Sequence, residues 1–284
     1  MPEQESEPQQ ETPRPSTDIR IEETQTLIPK LRRVHIGAAF VWLGRGAQDM
    51  QACPVPSLFY GFCFAAMGLA VTMVFEHAYQ YTSAMTSGFL LLGPFFAMGL
   101  YELSRRRERG DGCRFASSLT IWRRNASNIG VFALVLTVIF LIWARASLVM
   151  FALFYTNEIP NLSGFLNQVL RMENLDFMAV YIGVGLVFAT LVFSVSVVAI
   201  PMMLDRKADA ITSMFTSVAA VAANPGALFV WAALIVLLTV VGFMTFHIGL
   251  VFLMPMIGHG TWHAYRGLVE PDSPATSSRS STTG

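Results

Sequence analysis

Between Pro56 and Tyr101 the chain carries a single formal charge, Glu76. No folded surface in water is built from such a stretch, because about a quarter of the residues in an average soluble domain are charged. The rest of the chain follows suit, with 13% charged and 54% hydrophobic residues overall. Lipid is the solvent this sequence is written for. A spanning helix takes roughly 20 residues, so 284 residues with polar ends accommodate about six spans in one membrane domain.

Long apolar runs cover Ser57 to Phe75, Tyr81 to Tyr101, Ile129 to Phe154, Phe177 to Met203, Ala227 to Phe246 and Gly249 to Ala264. The last two are separated by an argument from length. Ala227 to Ala264 as one helix would be about 57 Å long, against a hydrocarbon core of about 30 Å. Gly242, Gly249 and the group from Thr245 to His247 offer the place to turn. The expected fold is therefore all-α: a polytopic membrane protein of about six transmembrane helices arranged as three hairpins.

Charge sets the expected orientation. Of the 19 basic residues, six precede the first span, seven crowd the second connection from Arg105 to Arg124, Arg206 and Lys207 sit in the fourth, and Arg266 and Arg279 follow the last span. Only Arg145 and Arg171 fall elsewhere. The positive-inside rule makes the basic side cytoplasmic, with both termini on it. The first 23 residues carry seven acids against Arg14 and Arg20. Such a Pro/Gln/Glu-rich stretch cannot bury enough apolar area to offset its chain entropy. Residues 1–30 are expected to be a disordered acidic tail, 31–269 the helical membrane domain and 270–284 a second disordered tail. No cleavable leader is expected, because an acidic segment precedes the first apolar run. Cys53, Cys63 and Cys113 are too few and too scattered for a disulfide framework or a thiolate metal site, and are expected to be reduced.

A short amphipathic segment precedes each hairpin, and two of these resemble one another. Trp42 to Pro54 reads WLGRGAQDMQACP, and Ser213 to Pro225 reads SMFTSVAAVAANP. In both, a small residue (Gly46, Ser217) stands eight positions before the proline. The second member of each hairpin carries a proline of its own: Pro94, Pro201 and Pro255. Inside a membrane such prolines kink helices whose freed carbonyls are satisfied by neighbours. The pattern predicts three copies of an interfacial elbow helix followed by a kinked hairpin.

Three separated strings carry a family resemblance: SGFLLLGPFFAMGLYELSRRRERG from Ser87, PMMLDRKADAITSMFTSVAAVAANPGAL from Pro201, and GHGTWHAYRGLV from Gly258. Together they resemble the domain-of-unknown-function 2189 family of bacterial integral membrane proteins, over roughly residues 34 to 269. The resemblance implies an inner-membrane location and a multi-pass topology, and no activity. Some members are labelled as subunit I of a respiratory oxidase. That role demands more histidine ligands than the five histidines of this chain can supply, with His35 outside the membrane and His77 at its outer edge.

Among candidate sites, His259 and His263 are four apart and share one helical face, the spacing helical metal sites use. Glu102 and Asp205 are the acids expected at the same level, and haem ligation by one histidine is a second option. The competing expectation places His259, Trp262, His263, Tyr265 and Arg266 in an interfacial belt closing the last span. Arg145 is the basic residue inside an apolar run, with Glu76, Glu158 and Asp176 as candidate partners. Its position near the end of its span also suits a side chain that reaches back to the interface. Glu76 with His77 closes the first span, as a solvated helix end or a group in proton movement. The cluster Arg105 to Arg109 would attract anionic headgroups.

No P-loop, nucleophile elbow, HExxH or cysteine–histidine cluster occurs, so no enzyme activity is expected. The leading functional expectation is a non-enzymatic scaffold or accessory factor that binds membrane partners or lipids. A small transporter or channel component is the first alternative, since transporters also use repeated hairpins and kinked helices. A metal- or haem-binding respiratory accessory protein is the second. The expected partners are the lipid bilayer and other membrane proteins, not nucleic acid, and no cofactor is expected unless the two histidines hold one.

Overall fold

Two prolines set the frame. Pro54 and Pro225 each open a long apolar helix one residue after a short helix ends, at the position where a missing N–H is tolerated. The computed structural model describes residues 29–77, 82–154 and 175–271. Along them run α1 (Ala38–Ala52), α2 (Pro54–His77), α3 (Thr82–Glu108) and α4 (Phe115–Thr120), followed by a 3-10 turn at Ile121–Asn125. Then come α5 (Ala126–Phe154), α6 (Leu175–Ser196), α7 (Ala199–Arg206), α8 (Ala210–Ala223), α9 (Pro225–Met244) and α10 (Leu250–Leu268). Among the described residues there is no strand, only an isolated antiparallel bridge between Leu31 and Val269. Of the expected tails only residues 29–30 and 270–271 are described, and Glu158 and Arg171 lie outside the described residues.

The protein is an all-α membrane protein. Pro54–Met73, Phe115–Phe154, Leu175–Arg206 and Pro225–Met244 are long and apolar enough to cross a bilayer. With α3 and α10 they form the three hairpins α2–α3, α5–α6/α7 and α9–α10. The hydropathy of α10 is diluted by polar residues for a structural reason: 12 of its 19 residues are buried, so most of its surface meets protein instead of lipid. The turn between α9 and α10 falls where the length argument places it. Phe246 and His247 there adopt φ of 54° and 67°, and Thr245 Oγ1 bonds the Val241 and Gly242 carbonyls while accepting from Gly249 N.

Pro201 does more than kink its helix. It cannot donate to the carbonyl four residues back, and its ring crowds that carbonyl. The helix breaks at Val197–Val198 into α6 and α7. The Val198 N–H released by the break donates to Ser217 Oγ of α8 at 3.1 Å.

The short helices repeat in detail. On α1 the buried face is Ala39, Trp42, Gly46 and Asp49; on α8 it includes Ala210, Ser213, Ser217 and Ala220. Counted back from Pro54 and Pro225, these fall at matching positions, with the 3-4-3 spacing of one helical stripe. The middle copy is α4 and its 3-10 turn, which bury Ser118 and Ile121.

Each short helix packs on the closing helix of the hairpin before it in cyclic order. The α4 segment lies on α3, α8 lies on α6 and α7, and α1 lies on α10. The three closing helices α3, α7 and α10 also touch one another, so they form the centre of a three-unit ring. Backbone hydrogen bonds seal it where the chain ends meet: Arg32 N to Leu268 O at 2.8 Å and Glu270 N to Lys30 O at 3.0 Å. Asn224, between α8 and α9, pins the same strap by accepting from Val34 N at 2.8 Å and donating to Arg32 O at 3.0 Å.

The cysteine expectation is corrected. Cys53, at the α1–α2 junction, is disulfide-bonded to Cys113 in the α3–α4 connection, with Cα atoms 5.7 Å apart, and Cys63 is free. Spacing along the sequence gave no sign of this, because the cyclic packing brings the two loops together. On denaturation without reductant, maleimide labelling is expected to find one thiol; after reduction it finds all three. Three labelled thiols without reductant would show the bond absent.

Candidate functional site: a buried polar cluster at the basic end

Polar burial in this molecule has one address. The buried polar and charged residues among the described ones are Asp49, Ser57, Glu102, Ser104, Arg105, Ser118, Ser213, Thr216, Ser217, Asn224, His259 and Thr261. All lie in the short helices, at their junctions, or at the ends of the long helices on the side where the basic residues gather. Toward the other end, α10 presents Val251 and Pro255 to Gly61 of α2, and the next polar pair is Thr72 with His247 at 3.1 Å.

His259 of α10 is fully buried. Its Nε2 meets Ser57 Oγ at 2.9 Å and its Nδ1 meets Ser104 Oγ at 2.7 Å. Ser104 donates to Asp49 Oδ2. Its one proton is thereby used, so it accepts from His259 and the Nδ1–H tautomer is the consistent one. Ser57 Oγ donates to the Cys53 carbonyl at 2.7 Å and shares that proton with Nε2. Asp49 is the hub. Its second contact on Oδ2 is His263 Nε2 at 2.9 Å, and its Oδ1 accepts from Arg107. Burial alone would raise the Asp49 pKa, but the hydrogen bonds from His263 and Ser104 outweigh it and hold the carboxyl below its ordinary value.

A second layer lies further toward the basic end. Glu102, 3% exposed, is paired with Arg105 at 2.6 Å. Tyr265 donates to Asp205 Oδ2 at 3.0 Å and accepts from Arg206 Nε at 3.1 Å. Trp262 Nε1 donates to Glu108 Oε2 at 3.0 Å, and Arg266 Nε donates to the same carboxylate's Oε1 at 3.0 Å. Arg109 reaches Asp205 Oδ1 at 3.1 Å.

Several expectations are thereby corrected. His259, Trp262 and Tyr265 form no interfacial belt, because they are 0%, 1% and 0% exposed and point into the bundle. Glu102 and Asp205 do not face the histidine pair; the acid that does is Asp49, which hydropathy hides inside a short helix far away in sequence. Among the described residues no group of three or more His, Cys, Asp or Glu is placed to hold a metal ion. His259 and His263 do share a face, yet both ring nitrogens of His259 are taken by serine hydroxyls. Arg145 is on an exposed face of α5. Glu76 falls in the last turn of α2, and its side chain lies outside the described residues.

The cluster has the residue types of a charge-relay site in a different order. Asp49 binds Ser104 instead of the imidazole, and Ser57 is 0% exposed, so a substrate atom has no approach to either hydroxyl in this conformation. What the arrangement does is lock α1, α2, α3 and α10 together through one hydrogen-bonded chain. Such buried networks rigidify a fold when every member is satisfied.

Comparison with known families rests on the middle of the chain, from α3 to α7. Residues 82–205 match the model of a predicted integral membrane protein family, DUF2189. The match shows a similarity to that family over this segment. No curated protein and no solved structure matches the chain. The DUF2189 segment contains Glu102, Ser104, Arg105 and Arg107 on one side of the site and Asp205 on the other. It ends before α8 and leaves out α1 and α10, which supply Asp49, His259 and His263. The polar cluster is thus assembled half from within the DUF2189 segment and half from the flanking units.

Proposed function

We propose that this protein is a non-enzymatic, multi-pass scaffold or accessory factor of a bacterial inner membrane, with both termini cytoplasmic, that binds lipids or membrane partners at its basic end. One observation carries the reading: among the described residues, buried polar side chains are confined to that end and bonded largely to one another. A conduction path needs polar groups or water distributed along the bundle axis, because an ionisable group in the hydrocarbon region is costly without them. Here the midsections of α2 and α10 meet through glycine, proline and apolar side chains. The basic end carries the Arg105 to Arg109 run and Arg266, the composition that meets anionic headgroups.

The test is flux across liposomes holding the purified protein, with a proton or potassium gradient imposed. The gradient is expected to decay at the rate of empty liposomes. Faster decay abolished by His259→Ala would replace this reading with transport. A parallel measurement addresses metal and haem: elemental analysis and an ultraviolet-visible spectrum of wild type and a His259→Ala, His263→Ala variant are expected to show neither stoichiometric metal nor a Soret band. A band present in wild type and lost in the variant would establish the respiratory alternative. Fusion reporters at the C-terminus and in the 155–174 connection fix the orientation, and a reporter at residue 284 active on the outer side would invert it.

A further inference from the structure

The three units are joined alike. In each, one residue occupies the junction between the short helix and the hairpin it feeds: Cys53 before α2, Asn125 before α5 and Asn224 before α9. Each of them reaches the segment that leads into the next short helix around the ring. Asn125 donates to Ala208 O at 2.9 Å, just ahead of α8, and Asn224 holds Arg32 O at 3.0 Å and Val34 N at 2.8 Å, ahead of α1. Cys53 holds Cys113, just ahead of α4, through the disulfide. Two joints of the ring are hydrogen-bonded and the third is covalent.

The fold closes the same joint twice without a covalent bond, so a permanent cross-link is not what closure demands. The proposed orientation places this end in the cytoplasm, where thiol pools make lasting disulfides rare and those that form are transient or redox-sensing. The two sulfurs also differ in access. Cys53 is 1% exposed, whereas Cys113 is exposed, beside a turn in which Gly110 and Gly112 adopt φ of 78° and 69°. An incoming thiolate can therefore reach Cys113 and not Cys53. Cys53 stands immediately before the 24-residue α2, its carbonyl accepting from Ser57 N at 3.2 Å. It leaves at the amino end of a long helix, where the dipole favours negative charge.

We propose that Cys53 and Cys113 are a reversible thiol–disulfide exchange site that loosens and closes the joint between the first and second units, with a dithiol as co-reactant. One thiolate of the dithiol attacks Cys113 Sγ, forming a mixed disulfide; the Cys53–Cys113 bond breaks, and Cys53 departs as a thiolate that takes up a proton. The second thiolate then attacks the reductant's own sulfur in the mixed disulfide and releases Cys113, so that two electrons and two protons pass to the protein and the dithiol ends as a disulfide. The joint then relies on Tyr60 donating to Ser118 at 2.9 Å and on Phe59 against Phe115. The change begins one turn from the polar cluster, because Cys53 N donates to Asp49 O at 2.9 Å. The inference rests on the proposed function only for the cytoplasmic placement of the basic end.

The experiment uses the full chain in phosphatidylcholine nanodiscs, without denaturant during the reaction. Dithiothreitol is the dithiol and oxidised glutathione the oxidant; samples are quenched in acid, denatured and counted with a maleimide mass tag. Dithiothreitol is expected to carry the protein from one tagged thiol to three, and oxidised glutathione to return it to one. Trypsin cleavage within residues 109–114, read on reducing gels, is expected to accelerate roughly ten-fold on reduction as local opening becomes more populated. The Cys53→Ala, Cys113→Ala variant cleaves at the reduced rate in both buffers, and Cys63→Ser responds as wild type with one tag fewer. A bond that yields to dithiothreitol only after denaturation, or cleavage that ignores its state, would overturn the proposal. In growing cells the tag count is expected to fall from three to one on addition of diamide and to recover after its removal. With fusion reporters showing residue 284 inside, a count fixed at one or at three would likewise overturn it. Reporters showing residue 284 outside, with exchange intact in nanodiscs, would remove the cytoplasmic reading and keep the exchange site; a resistant bond with residue 284 inside would do the reverse.

Discussion

Gly46→Leu is expected to leave no folded protein. A Cβ at Gly46 would sit 2.6 Å from Gly260 N and closer still to the Met256 carbonyl, both backbone atoms of α10. A backbone atom inside a helix cannot step aside as a side chain can. Overpacking usually costs about 1–3 kcal/mol, and more when the obstacle is rigid; here a whole isobutyl group must fit where a single methyl cannot. Small residues at such crossings let helices approach closely, and α1 on α10 is the contact that closes the ring. Gly44, two positions earlier on the same helix, has open space around its Cβ position. Gly44→Ala is therefore expected to stabilise α1 by roughly 0.5–1 kcal/mol. Size-exclusion profiles of fluorescent fusions would read both variants. A monodisperse Gly46→Leu protein would mean that α1 does not dock as described.

Asp49→Ala should be the next most damaging change. The carboxylate is 5% exposed and holds His263, Ser104 and Arg107 together. Arg107 is 39% exposed at its side chain and can turn to water, so the loss falls on the buried partners. Removing one member of a buried charged network costs about 3–5 kcal/mol, and the lower end applies here because one partner escapes. Asp49→Asn keeps an acceptor for Ser104 and His263 and should lose roughly 1 kcal/mol. The same group sets an acid limit. Its folded pKa is lowered below 3.8, so its contribution is complete above the unfolded value and disappears as the pH falls through the folded one. Melting curves in detergent from neutral pH down to about 3 should therefore show a wild-type decline below about pH 4 that the Asn variant lacks in part. A decline of equal size in both would assign the acid sensitivity to other carboxylates.

Hydropathy was enough to locate the helices and the turn at Thr245, because length and apolar content are local quantities. The elbow repeat was legible for the same reason: Gly46 and Ser217 keep their distance from a proline whatever surrounds them. The middle copy was expected from the threefold pattern alone, since α4 and its 3-10 turn lack the proline, although Ser118 keeps the small residue's place eight positions before Ala126. What hydropathy could not separate is the end of a span in headgroups from the end of a span inside protein. His259, Trp262 and Tyr265 read the same way in both settings. A signal for the second was present in Gly258, Gly260 and Gly267, interleaved with those polar residues, since small residues in a polar turn mark close packing instead of lipid contact. Asp49 lacked any local signal. Its meaning depends on a histidine 214 residues away, and no window along the chain contains both.

That separation has a consequence for how the protein is made. Chains emerge at about 5–20 residues per second, so roughly 10–40 s pass between the synthesis of Asp49 and that of His263. Throughout that interval α1 has no α10 to cover Trp42, Gly46 and Asp49. The middle hairpin and its partner α3 can already be packed, because α4 follows its own docking site. The ring must therefore be finished from its seam, with the first helix waiting for the last. A ribosome stalled before Leu250 would release a chain whose middle unit is assembled while α1 and α9 both still lack their partner α10.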